Sequence, residues 1–78
     1  MTWNYRIIDF VTHLALHEVF YDENRKPRSY TEDAISFIVD PEEGIEGIRG
    51  SLVMALRACD QPTLSPSDFL NSNKDNIE

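Results

Sequence analysis

Residues 40–62, DPEEGIEGIRGSLVMALRACDQP, decide how this chain is read. Asp40 can cap a helix, Pro41 suits a first helical position that needs no amide hydrogen, and Glu43 stands three residues after the cap. This pattern predicts a helix over residues 41 to 59. Ile45, Ile48, Leu52, Leu56 and Cys59 recur at three- and four-residue steps, with Val53 and Ala55 beside them, so the helix carries one apolar stripe that needs a covering surface. Cys59 is expected to be a buried, inert thiol on that stripe. Asp60-Gln61-Pro62 ends the helix, because proline lacks the amide hydrogen and disfavours helical geometry in the residue before it.

Upstream, two periodicities compete. As strands, Trp3, Tyr5 and Ile7 share one side of a first segment, and Leu14, Leu16 and Phe20 share one side of a second, interrupted by Glu18. As a helix, Ile7, Ile8, Val11, Leu14, Ala15 and Val19 also align. The turn at Asp22-Glu23-Asn24-Arg25-Lys26-Pro27 is better marked, with Asn24 expected in the left-handed conformation of a tight hairpin. A third strand is expected from about Arg28 to Val39. Residues 62 to 70 combine two prolines with Leu64, Phe69 and Leu70. They read either as a strap on the chain's own sheet or as a contact reaching a second subunit.

Trp3-Asn4-Tyr5-Arg6, the segment Leu14 to Asp22, Lys26-Pro27 and Tyr30-Thr31-Glu32-Asp33 together resemble a group of short, uncharacterised bacterial proteins. These open with W-N-Y-R and continue through H-E-V-Y-Y-D-like and W-T-E-x-P-like segments. The resemblance spans residues 3 to 65 and carries no activity. It implies the strand reading: an α+β fold, a three-stranded antiparallel meander followed by one amphipathic helix packed on the sheet. Here Arg25 replaces the group's hairpin glycine and Ala34 its proline. A weaker, topological likeness is to HicB-type antitoxin domains, acidic proteins that mask a small basic ribonuclease; their Pro-Gly-Cys segment is missing here. The domain is expected over residues 1–70, with a disordered tail over 71–78.

Length and charge narrow the function. Seventy-eight residues bury only about 60% of the unfolded surface, too little for a large enzyme with a deep cleft. Fourteen acidic against seven basic residues, a net charge of −7, disfavour direct nucleic-acid binding. No apolar run approaches the ~18 residues that span a bilayer, and no secretory leader is visible, so a cytoplasmic chain without membrane contact is expected. One cysteine allows no internal disulfide.

No catalytic set, metal site or cofactor is expected. His13 and His17 are too far apart along a strand to share an ion, and His17 and Glu18, as strand neighbours, point to opposite faces. Trp3, Arg6, His17 and Glu32 are candidate interaction residues. The competing reading makes Trp3 a sheet aromatic and pairs Arg6 with Glu18 or Glu32. Gly44, Gly47 and Gly50 repeat every three residues, a strip on which a second backbone could dock. The chain is therefore expected to be a small acidic interaction or regulatory protein acting through a protein partner or as a homodimer. The alternatives are an antitoxin-like inhibitor of a small basic protein and a small-molecule binder or enzyme with its site at a dimer interface.

Overall fold

A computed structural model describes residues 2–69; Leu70 and the expected tail 71–78 lie outside the described residues. Strands β1 (Thr2–Asp9), β2 (Leu14–Tyr21) and β3 (Pro27–Tyr30) form one antiparallel sheet in the order β1-β2-β3, and helix α1 (Gly44–Ala58) packs against β1. The α+β meander with one helix is the arrangement expected from the sequence.

The register places Arg6 opposite His17, Ile8 opposite Ala15, and Val19 between Asn4 and Tyr30. Alternation sends these residues to one face and Trp3, Tyr5, Ile7, Leu16, Glu18 and Phe20 to the other. Ile8 and Val19 are fully buried on the first face and pack with Phe69, ringed by Phe10, Tyr21, Tyr30 and Leu64. The strap makes this core. Leu64 forms a parallel bridge with Ile8, its N–H donating to the Ile7 carbonyl (2.9 Å) while its carbonyl accepts from Asp9 N–H (2.8 Å). Residues 62–69 therefore pack on the chain's own sheet.

Both hairpin turns place a non-glycine residue in the left-handed region. Between β1 and β2 this is Val11 (φ 78°), held by its N–H donating to Asp9 Oδ1 (2.7 Å). For a β-branched residue this conformation is strained. Between β2 and β3 it is Arg25 (φ 64°), not Asn24 as the sequence suggested. Arg25 N–H donates to the Asp22 carbonyl (2.9 Å) and Asp22 N–H to the Lys26 carbonyl (3.0 Å), the three-residue hairpin whose last position is normally glycine. The Asp22 side chain stabilises it, accepting from the N–H groups of Asn24 (2.8 Å) and Lys26 (3.0 Å).

β3 stops at Tyr30 rather than running to Val39. Thr31 N–H still donates to the Glu18 carbonyl (3.0 Å), but the Thr31 carbonyl lies 2.8 Å from His17 Nδ1, and Thr31 Oγ1 donates to the Asp33 carbonyl (2.8 Å). With side chains occupying these groups the regular ladder ends, and the chain touches β2 once more, where Ile35 N–H donates to the Leu16 carbonyl (2.9 Å).

The helix begins later than the capping pattern implied. Glu43 does reach back to Asp40, whose N–H donates to Glu43 Oε1 (3.2 Å), but Glu43 N–H donates to the Asp40 backbone carbonyl (2.9 Å) in a separate turn. Gly44, at φ +66°, then redirects the chain into α1. The larger correction is rotational. Ala55 and Ala58 are buried, whereas Ile45, Leu52 and Leu56 are 74%, 51% and 69% exposed, Ile48 is half-buried, and Cys59 is exposed. The expected core of sheet plus Ile45, Ile48, Leu52 and Leu56 is not what forms. Residues 47, 51, 55 and 58 share one helical face, and it is this small-residue face that turns inward. Gly47 shows why: a methyl there would sit 3.1 Å from both Val39 Cγ1 and Glu43 Cβ. Close approach selects small residues, and the bulky stripe is left outside.

Candidate functional site

The four candidate residues of the strands and following loop do not form one cluster. Trp3 is 46% exposed and tilts against Tyr5 at 5.8 Å between ring centroids, on the face opposite Arg6 and His17. Glu32 lies exposed in the loop after β3. Arg6 and His17 are directly paired across β1 and β2, and both are buried.

His17 is held by its surroundings. Its Nδ1 faces the Thr31 carbonyl, which can only accept, so Nδ1 carries the proton. The ring meets Phe10 and Tyr30 edge-on at 5.4 Å each, and Tyr30 in turn meets Phe69 at 4.7 Å. Phe10 also stacks on His13 at 5.2 Å. His17 thus ties the end of β3 to the aromatic side of the core. Among the described residues no group of three or more histidine, cysteine, aspartate or glutamate side chains is placed to hold a metal ion.

Among the described residues no carboxylate pairs with Arg6. Glu18 pairs with Tyr5 and so faces the other side of the sheet, which removes the Arg6–Glu18 pair allowed by the sequence. Arg6 Nη1 instead donates to the Tyr21 hydroxyl (2.9 Å), which donates to Asn4 Oδ1 (2.6 Å), and Nη2 donates to the Pro62 carbonyl (2.6 Å). Nε is buried without a partner among the described residues, where the only ion pair joins Arg49 and Glu46 on α1. Beside this guanidinium an open hollow of ≈ 320 Å³ is lined by Thr2, Asn4, Arg6, Tyr21, Arg25 and Gln61. A second hollow of ≈ 230 Å³ shares Asn4 and Gln61 with it and continues to Tyr5, Met54, Arg57 and Ala58.

The helix supplies the other notable surface. Ile45, Leu52, Val53 and Leu56 are exposed apolar side chains on one element, well beyond the scattered singles ordinary on a monomer. The glycine strip does not act as a unit. Gly44 serves the left-handed bend, Gly47 receives Val39, and Gly50 faces open space. The signal for an outward surface was present in the sequence as the apolar stripe itself; its direction was not, because periodicity says which residues share a face and not what covers it.

No family model matches the chain, and neither a curated protein nor a solved structure matches it. The fold and these surfaces define a small α+β protein with an outward apolar helix face and a buried arginine that pairs with no carboxylate among the described residues. No helix among the described residues is long and apolar enough to cross a membrane.

Proposed function

We propose that this chain is a small non-catalytic interaction protein of the cytoplasm that works as a homodimer, with the α1 stripe as the joint surface. The observation that carries this reading is the exposure of Ile45, Leu52 and Leu56 on a helix whose pattern calls for burial. A second copy suits the surface. Glu42 and Glu43 lead into α1 and Glu46 lies in its first turn, while Arg57 stands in its last turn, so antiparallel pairing sets the acidic start of one helix beside Arg57 of the other. Burial there would also supplement a core of only a few large side chains, a standard remedy for domains this small.

Sedimentation and light scattering on the full chain and on Leu52→Glu and Leu56→Glu test this. The expected result is a dimer for the parent and folded monomers for both variants, since neither side chain belongs to the intramolecular core. A parent chain that stays monomeric at about 100 μM would remove the proposal.

A second reading has its own observation. Between Arg28 and Arg49 the chain has six acidic residues (Glu32, Asp33, Asp40, Glu42, Glu43 and Glu46), all exposed, and no basic one, with exposed Phe37 and Ile38 among them. This surface suits an antitoxin-like inhibitor of a basic protein. A stoichiometric basic partner, released by moderate salt, would establish that reading over self-association alone.

A further inference from the structure

Arg6 is 8% exposed, and among the described residues its guanidinium meets only neutral oxygens, so its charge has no counter-charge there. Burying an ion without a counter-charge costs several kcal/mol, which is why such groups are ordinarily paired. Arg6 offers five N–H groups and gives one to the Tyr21 hydroxyl and one to the Pro62 carbonyl. The Tyr21 hydroxyl is itself oriented by Asn4, so its oxygen is turned to accept from Arg6.

The adjoining hollow reverses the character of the molecule. In a chain of net charge −7, its lining of Thr2, Asn4, Arg6, Tyr21, Arg25 and Gln61 holds two arginines and no carboxylate. The acid next to it in the β2–β3 turn, Asp22, is occupied with the N–H groups of Asn24 and Lys26 and does not neutralise Arg25. The hollow, ≈ 320 Å³ and open to solvent, admits a small oxyanion with residual hydration.

We propose that this hollow binds a small oxyanion, the carboxylate or phosphate group of a ligand, with Arg6 as its buried charge and Arg25 closing over it from the hairpin. The guanidinium fork matches either group through paired N–H donors. Asn4, Thr2 and Gln61 supply neutral hydrogen-bonding groups around the ion. This site uses β1, β2 and the hairpin, and it stands whether or not α1 mediates association.

The test uses the full chain with inorganic phosphate, acetate and chloride at matched ionic strength, following thermal unfolding and the ¹H–¹⁵N signal of the Arg6 Nε–H. Phosphate or acetate is expected to raise the melting temperature saturably and to shift that signal, while chloride does neither. The stronger of the two identifies the group. Arg25→Gln, at an exposed turn position, is expected to weaken binding about tenfold without loss of fold, and Arg6→Lys to weaken it at least as much. Equal responses to all three salts, or undiminished binding in Arg25→Gln, would overturn the proposal.

Discussion

The covered sheet face mixes Asn4, Arg6 and His17 with Ile8, Ala15 and Val19, whereas the outward face of α1 is apolar at helical spacing, yet it is the mixed face that is sealed. On the sheet, Ile8 and Val19 are sealed by Phe69 from a strap more than forty residues away in sequence. On the helix, Ile45, Leu52 and Leu56 stay exposed while Ala55 and Ala58 face inward. The difference teaches that periodicity says which residues share a face, while what packs on that face is decided by the rest of the fold.

The largest expected effect breaks or sharpens that comparison directly. Ile8→Ala should cost about 2–5 kcal/mol, enough to unfold much of so small a domain. Leu56→Ala should change monomer stability by no more than about 0.5 kcal/mol. Urea titration at a concentration below any association checks both. Similar costs at the two positions would mean the stripe is part of the intramolecular core after all.

The helix glycines give a smaller test with opposite signs. Gly50→Ala faces open space and should stabilise by about 0.8–1 kcal/mol, which for a domain of this size is roughly 4–8 °C in Tm. Gly44→Ala must hold φ at +66° and should destabilise by about 1 kcal/mol. A calorimetric scan of each reads the sign, and stabilisation by both would show that α1 does not start with a left-handed glycine.

The smallest effect concerns the hairpin. The Lys26 and Asn24 backbone N–H groups, with Arg28 and Lys26 nearby, hold the Asp22 carboxyl below its ordinary value of 3.8. Because the folded-state value is the lower one, this stabilisation is complete above pH 3.8 and fades as pH falls through the depressed value. Asp22→Asn should therefore lower stability slightly at neutral pH and make little difference in strong acid, flattening the acid limb of a plot of melting temperature against pH.

Much of the architecture was legible because it rests on local chemistry. The Asp22–Lys26 turn and the Pro62 stop correspond to the elements found, and of the two periodicities that competed in residues 3–20 the strand one is realised. The strap was legible as two alternatives, and the Ile8–Leu64 bridge decides between them. The length of β3 was not legible, since it ends where the Thr31 carbonyl meets a histidine fourteen residues earlier in the chain. Nor was the Arg6 environment. Alternation could have excluded Glu18 as its partner once the register was known, but the register itself is a tertiary fact.

The sequence by itself determined the helix and its apolar stripe, because these follow from capping and spacing within one segment; the strands of the N-terminal half, which spacing left open against a helix, were implied only by the resemblance. Only the tertiary structure decided which side of α1 meets the sheet, that Phe69 and not Leu52 completes the core, and that Arg6 lies buried with no carboxylate partner among the described residues. The physical reason is steric: where Gly47 lets Val39 approach to van der Waals contact, small residues turn inward, and no periodicity within the helix records the shape of what it packs against.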